Sequence, residues 1–188
     1  MNSIPALYND CAYTLVSEQE IAAICDRLAA EIMETYKDST RRLVMVVILK
    51  GSMPFASDLM KRLPLPLELE FMKVSSYGAG TKTSGEIKVS LDLNRDDLQD
   101  IDLLVVEDIV DSGRTLSRLT QLLRNRNAHS VRTCTLLDKP TRREVEFVPD
   151  FCGTVVPDEF VVGYGLDYDE KYRNLPFVGV LKREVYEK

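Results

Sequence analysis

The amino-acid sequence predicts an α/β fold in which a mainly parallel central sheet is flanked by helices. Two continuously apolar runs, residues 43–49 and 103–106, are rich in β-branched side chains, which is typical of strands covered on both faces. Strand-like and helix-like segments alternate along the chain, and this order favours a parallel sheet. Residues suited to ligand binding follow three of these strands, where such sheets place their ligands.

The first half of the chain begins with a predicted helix over residues 18–36. Ser17 and Glu20 have the spacing of a capping box, in which the serine hydroxyl and the glutamate carboxylate each accept a backbone N–H at the helix start. An apolar stripe at helical spacing follows. The next predicted elements are strand 43–49, a short helix that ends near residue 62, and strand 67–74.

The second half begins with a stretch rich in Gly, Ser and Thr over about 74–87, which has the composition of a mobile lid. We expect a returning strand over 87–93 and a solvated turn in the charge run 92–102. Further strands are expected at 103–106, 131–137 and 177–181, and a helix is expected to begin near Thr115. The 188 residues suit one domain.

Composition excludes several classes of function. The formal net charge of -6 argues against a broad nucleic-acid surface, which needs clustered lysine and arginine. The first ten residues lack a secretory signal, and no stretch approaches the roughly 20 apolar residues of a membrane span, so a cytoplasmic protein is expected. Four cysteines without a CxxC pair and a single histidine leave acid–base and metal chemistry to carboxylates and lysines.

The most informative segment is VVEDIVDSGRT, residues 105–115. Glu107 and Asp108 are predicted at the end of a buried strand, where they suit ribose hydroxyls or a metal ion. Asp111 follows, and the Ser112–Thr115 turn then opens a helix whose free N–H groups can bind phosphate. This order of acids and phosphate-binding turn suits a ribose 5-phosphate. The segment is neither a GxxxxGK[ST] loop nor a GxGxxG loop.

The segment resembles the phosphoribosyl pyrophosphate-binding motif of type I phosphoribosyltransferases. Other short motifs resemble the hypoxanthine-guanine branch of that family, and the resemblance runs from the first helix to the end of the chain. These motifs are Leu49-Lys50-Gly51, Ser76-Tyr77, Lys139, Phe160-Val161, Asp167 and Arg173.

The resemblance assigns expected roles around the sugar and the pyrophosphate. Glu107 and Asp108 would hold the ribose hydroxyls, directly or through Mg²⁺, and Asp167 would contact Mg²⁺. Pyrophosphate would be bound by Arg173 and by the loop of Lys50 and Gly51, which in that branch carries a cis peptide before the lysine. The 5-phosphate would lie on the turn formed by Ser112, Gly113, Arg114 and Thr115.

The resemblance also assigns the base site. Phe160 would stack on the purine, the backbone of Val161 would read its edge, and Lys139 would donate to its 6-oxygen. Because lysine has only donors, it favours a 6-oxo purine over a 6-amino one. Asp111 would lie near N7 as the candidate for proton transfer, and Ser76 and Tyr77 would form the tip of the lid.

The function implied is purine salvage, in which a phosphoribosyl group passes from phosphoribosyl pyrophosphate to hypoxanthine or guanine. The resemblance also implies Mg²⁺, a homodimer or homotetramer, and a small hood built from the N-terminal residues and about 151–188. Three alternatives remain open from the sequence. They are a non-catalytic transcriptional regulator on the same fold, a phosphoribosyltransferase for xanthine or another base, and a phosphatase-like Mg²⁺ site.

Overall fold

The computed structural model of the chain describes residues 6–76 and 87–187. Nine strands form in these residues, and they divide between two sheets. In chain order they are β1 (Cys11–Val16), β2 (Arg42–Ile48), β3 (Leu67–Ser76), β4 (Ile87–Leu91), β5 (Ile101–Val110), β6 (Ser130–Asp138), β7 (Phe151–Val155), β8 (Val161–Val162) and β9 (Val178–Leu181).

The larger sheet has six strands in the order β4-β3-β2-β5-β6-β7. Neighbours pair in parallel from β3 through β7, and β4 pairs antiparallel with β3 at one edge. Every residue of β2 after Arg42 is buried, and so are the first six residues of β5, as expected of strands covered on both faces. The predicted α/β class with a mainly parallel sheet is therefore confirmed.

The helices are α1 (Ala6–Asn9), α2 (Glu18–Tyr36), α3 (Met53–Met60), α4 (Arg114–Asn125) and α5 (Arg183–Tyr186). Three of them, α2, α3 and α4, cover the two faces of the larger sheet. Helices α2 and α3 pack in one apolar cluster with one face of the sheet, and α4 packs in a second cluster with the other. None of the helices in the described residues has the length and apolarity that a membrane span requires.

Helix α2 has the predicted bounds, and its predicted capping box is present. The Ser17 hydroxyl accepts the Glu20 N–H at 3.3 Å, and the Glu20 carboxylate accepts the Ser17 N–H at 2.7 Å. The helix buries one stripe that includes Ile21, Cys25 and Leu28. Local sequence signals and tertiary packing therefore agree over this segment.

The smaller sheet has the order β1-β9-β8, so it combines a strand from the start of the chain with two from its last third. Strand β7 belongs to the main sheet, because it pairs in parallel with β6. The hood expected from the N-terminal residues and about 151–188 stays a prediction.

Two boundaries differ from the prediction because tertiary pairing extends the strands. Strand β5 continues to Val110 along β6, so Glu107 and Asp108 lie within a strand and not beyond its end. Strand β3 continues to Ser76 along β4, which shortens the loop predicted over about 74–87. Tyr77 and most of that predicted lid lie outside the described residues.

The charge run 92–102 is the predicted solvated turn only in part, because Asp92, Asp96 and Asp100 are exposed while its end enters β5. Asp102 is buried at the start of β5, where it accepts hydrogen bonds from Ser39 at 2.8 Å and Ser130 at 2.5 Å. Arg95 pairs with Glu68 at 2.8 Å and Asp97 at 2.8 Å. Composition alone could not predict this, because the partners come from distant parts of the chain.

Candidate active site

The carboxyl ends of β2 and β5, the start of α4 and the loop before β9 surround a cleft of about 410 Å³. Most of the predicted sugar and pyrophosphate residues line it. They are Lys50, Gly51, Glu107, Asp108, Asp111, Ser112, Gly113, Thr115, Asp167 and Arg173. Segments more than 100 residues apart in the chain thus meet at the edge where ligands bind in parallel sheets.

The loop after β2 brings its backbone unusually close to the acids of β5. The Leu49–Lys50 peptide is cis, in keeping with the loop that the sequence resembles. A Cβ added to Gly51 would lie 1.7 Å from Oδ2 of Asp108, and a Cβ added to Gly165 would lie 1.8 Å from the Gly51 carbonyl oxygen. Only glycine fits at these two points, so the loop can approach Asp108 and the loop before β9 at once.

Glu107 and Asp108 form the acidic centre of the cleft. Burial raises the pKa of Glu107 well above its usual range, and the neighbouring Asp108 charge raises it further. Burial also raises the pKa of Asp108, against the opposing effects of its bonds to Glu107 and to the Ile109 N–H, the latter at 2.7 Å. Two acids held together in this way favour a cation or hydroxyl donors beside them.

The start of α4 supplies the predicted phosphate-binding turn. Gly113 precedes the helix with φ of 79°, a left-handed conformation that glycine adopts without strain. Helix α4 begins at Arg114, so its first free N–H groups face the turn. The side chain of Arg114 pairs with Glu144 at 2.5 Å and does not line the cleft. Its backbone N–H donates to the Ser112 hydroxyl over a long 3.4 Å, a contact that a phosphate could replace.

A second cleft, of about 490 Å³, adjoins the first, and Ile109, Asp111 and Asp167 line both. The predicted base residues Lys139, Phe160 and Val161 line this second cleft. The arrangement therefore places a polar cleft beside one with an aromatic wall.

Lys139 is 8% exposed, and its ammonium donates to the Glu159 carbonyl oxygen at 2.6 Å. Burial lowers the pKa of this lysine. Phe160 is partly exposed and stacks on Tyr186 of α5, with ring centroids 4.8 Å apart and planes 23° apart. Tyr186 also lines the cleft, a role that the sequence did not predict.

Asp111 lies between the two clefts and is engaged by arginines that the sequence analysis did not single out. Its Oδ1 pairs with Arg142 at 3.0 Å, and its carbonyl oxygen accepts a bond from Arg143 at 2.5 Å. Arg143 also pairs with Asp138 at the end of β6. The Arg142-Arg143 pair directly after the DKPT segment is a sequence signal that could have indicated these contacts.

Asp167 and Arg173, predicted to contact Mg²⁺ and pyrophosphate, pair with each other at 2.8 Å. Arg173 also donates to the Gly165 carbonyl oxygen at 2.8 Å. Glu170, which the sequence analysis did not single out, pairs with Lys50 at 2.9 Å and with Arg173 at 3.4 Å.

Of the two predicted lid residues, only Ser76 falls in the described part of the chain. Strand β3 ends at Ser76, while Tyr77 lies outside the described residues. Val74 and Ser75, directly before them, line the first cleft.

A metal held entirely by protein ligands does not fit the described residues, because they include no group of three or more His, Cys, Asp or Glu side chains able to surround an ion. The donor set does suit Mg²⁺, which takes oxygen ligands and is usually held by one or two carboxylates together with water and substrate phosphates. Glu107 and Asp108 supply such a pair.

A family model described as a phosphoribosyl transferase domain matches residues 13–169. The hypoxanthine-guanine phosphoribosyltransferase of Staphylococcus epidermidis is 48% identical over 97% of this chain and 100% of its own length. The chain belongs to this phosphoribosyltransferase family. The predicted family and enzyme class are therefore confirmed.

Two other similar proteins support the same family assignment. A solved hypoxanthine phosphoribosyltransferase from Staphylococcus aureus superposes with a TM-score of 0.92 at 46% identity, with 100% of both chains covered. The bifunctional protein TilS/HprT of Listeria monocytogenes is 51% identical over 96% of this chain, which spans 28% of that longer protein.

Proposed function

We propose that the chain is a purine-salvage enzyme that transfers the 5-phosphoribosyl group of phosphoribosyl pyrophosphate to N9 of hypoxanthine or guanine. The products are IMP or GMP and pyrophosphate. The observation that carries the proposal is the pair of adjoining clefts that share Asp111 and Asp167. One offers acids and a helix start for a sugar phosphate, and the other offers an aromatic wall with a buried lysine.

The first cleft fits phosphoribosyl pyrophosphate part by part. The turn before α4 binds the 5-phosphate through free N–H groups, helped by the helix dipole. Glu107 and Asp108 accept hydrogen bonds from the ribose hydroxyls or hold Mg²⁺. Asp167 does not group with them around one ion in the described residues, so it would contact Mg²⁺ separately from this pair. Lys50 and Arg173 neutralise the negative charge that grows on the departing pyrophosphate. Bound Mg²⁺ would add further neutralisation of that charge.

The second cleft selects the base. Phe160 provides a flat apolar surface for the purine ring, and the buried Lys139 donates to its 6-oxygen. Adenine carries a donor at that position and would leave both groups without an acceptor, which disfavours it. The short bond from Lys139 to the Glu159 carbonyl orients the ammonium.

The reaction forms the bond from C1 of the ribose to N9 and breaks the bond from C1 to the pyrophosphate oxygen. Pyrophosphate leaves with the electron pair, and the proton of the base passes to an acceptor. Asp111 is the candidate acceptor because it lines both clefts. One of its oxygens is engaged by Arg142, and the other accepts no hydrogen bond in the described part of the chain.

A base panel tests the proposed function. The protein is mixed with Mg²⁺, phosphoribosyl pyrophosphate and one of hypoxanthine, guanine, xanthine, adenine or uracil, and nucleotide formation is followed. Product with hypoxanthine or guanine supports the proposal. Strong turnover of xanthine would correct the base specificity, and no turnover with any base would contradict the proposal.

The role of Asp111 is tested by Asp111→Asn, which keeps the shape and removes the proton acceptor. We expect turnover to fall by roughly 10²- to 10⁴-fold, the usual contribution of general acid–base catalysis. Arg142→Gln serves as the comparison, since it removes the ion pair and leaves the carboxylate. Near-normal turnover of Asp111→Asn would exclude proton transfer by this residue.

We also infer that the enzyme is cytoplasmic and forms a homodimer or homotetramer, without nucleic-acid or membrane partners. The net charge of -6 opposes a nucleic-acid surface. Light scattering coupled to gel filtration measures the assembly, and a mass of one chain only would contradict the inference.

A further inference from the structure

The carboxylate of Glu170 lies between the two cations proposed to bind pyrophosphate. Its Oε2 is 2.9 Å from Nζ of Lys50 and 3.4 Å from a terminal nitrogen of Arg173. The hydrogen bond from Lys50 lowers the pKa of Glu170, and Arg173 lowers it further. One anionic oxygen thus bridges two cationic side chains that lie far apart in the sequence.

The backbone around Glu170 is arranged to hold it there. Asp169, Glu170 and Tyr172 all have positive φ, of 51°, 59° and 75°, which non-glycine residues rarely adopt. The Glu170 N–H donates to Oδ2 of Asp167 at 3.0 Å. A turn with three left-handed residues is uncommon, and here it directs an acid at Lys50 and Arg173.

Two cations that contact a single oxygen are close enough to repel each other strongly, so an anion between them is stabilising. A carboxylate carries one negative charge, whereas pyrophosphate carries several and offers more acceptor oxygens. Arginine and lysine pair readily with phosphate oxygens. A pyrophosphate group in the cleft therefore competes with Glu170 for the same two partners.

We propose that Glu170 is a built-in counter-ion for Lys50 and Arg173 that pyrophosphate displaces, so that Glu170 sets how tightly the site holds its leaving group. The inference rests on the proposed function for the identity of the anion. In the free protein the carboxylate pairs with Lys50 and shares Arg173 with Asp167, which lies 2.8 Å from the same arginine. After the reaction its return to them competes with pyrophosphate and favours release of the product.

The expected effect is modest, because Glu170 is an exposed partner. Its side chain is 66% exposed, and exposed ion pairs typically contribute enough to change an equilibrium by roughly two- to five-fold. The sign is unusual for a residue of an active site, since removal of the charge should tighten binding. A residue with only a structural role would weaken binding or leave it unchanged.

The test compares Glu170→Gln with Asp169→Asn by calorimetric titration of sodium pyrophosphate in the presence of Mg²⁺. Both variants remove one negative charge from neighbouring exposed positions, but Asp169 pairs with Lys171 and not with the cleft. We expect Glu170→Gln to lower the Kd of pyrophosphate by about two- to five-fold. Asp169→Asn should change it much less.

The proposal is overturned if Glu170→Gln leaves the Kd unchanged or raises it, because the carboxylate would then not compete with pyrophosphate. It is also overturned if Asp169→Asn lowers the Kd as much, since a general change in charge would explain both. The titration needs no turnover. If the wild type forms no nucleotide from any base, the proposed function is contradicted. If Glu170→Gln nevertheless binds pyrophosphate more tightly than the wild type, the role of Glu170 as a counter-ion is supported.

Discussion

The close approach of Gly51 to Asp108 makes a single methyl group a severe perturbation. In Gly51→Ala the new Cβ would lie 1.7 Å from Oδ2 of Asp108 and 2.9 Å from its Cγ, far inside the 3.5–4.0 Å at which carbon atoms normally pack. The Asp108 carboxylate would have to turn away, although its other oxygen accepts the Ile109 N–H at 2.7 Å. We expect loss of thermal stability and weaker binding of phosphoribosyl pyrophosphate.

The magnitude follows from the cost of inserting a methyl group into a packed site, about 1–3 kcal/mol. For a chain of this size, 2 kcal/mol lowers the Tm by roughly 4–8 °C. The next neighbour of the added Cβ is the Gly165 carbonyl oxygen at 3.4 Å, an ordinary contact. The predicted cost therefore comes almost entirely from the Asp108 side chain.

A double-mutant cycle tests this reasoning directly. Thermal unfolding is measured for the wild type, Gly51→Ala, Asp108→Ala and the double variant, all in EDTA so that metal binding does not contribute. We expect Gly51→Ala to cost about 1–3 kcal/mol in the wild type and little when Asp108 is already alanine. An equal cost in both backgrounds would refute the assigned contact and place the strain elsewhere in the loop.

Three further predictions concern stability. Because burial raises the pKa of Glu107, the folded state keeps this proton at a pH where the unfolded chain has lost it. Wild-type stability therefore falls as the pH rises above the pKa of Glu107 in the unfolded chain. In EDTA, the Tm of Glu107→Gln relative to the wild type should increase from pH 5 to pH 8, and a constant difference would contradict the burial argument. Ser17→Ala removes the hydroxyl that accepts the Glu20 N–H and should cost about 0.5–2 kcal/mol by chemical denaturation, with unchanged KM for the base as the check that the effect is local. Gly165→Ala combines a φ of 101° with a Cβ 1.8 Å from the Gly51 carbonyl oxygen, so it should lower the Tm at least as much as Gly51→Ala; a smaller loss would show that the two loops separate easily.

Much of the fold could be predicted because its signals are local. The capping box at Ser17 and the apolar stripe after it fixed the bounds of α2. The β-branched runs indicated β2 and β5 as buried strands. Parallel strands carry their polar residues to one edge, so three separate motifs could be expected to meet there.

The strand ends could not be predicted, because they depend on pairing between distant segments. Nothing in residues 107–110 distinguishes a strand from a turn until β6 is aligned beside them. This extension moves Glu107 and Asp108 into the sheet, and their burial there raises both pKa values. In a solvated turn their pKa values would lie nearer the usual range, so the extra strand length explains why these acids favour a cation or a hydroxyl donor beside them.

The contacts of Asp111 and Lys50 were missed for a related reason. Arg142 and Glu170 are charged residues, and most charged residues are exposed to solvent without a specific role. Their roles arise from where the backbone places them, a 3-10 turn at Pro140–Arg142 and a left-handed turn at 169–172. Sequence motifs therefore indicate which residues would contact the substrates. The oppositely charged side chains that already pair with those residues can be identified only in the folded chain. The competition between Glu170 and pyrophosphate belongs to this second kind of information.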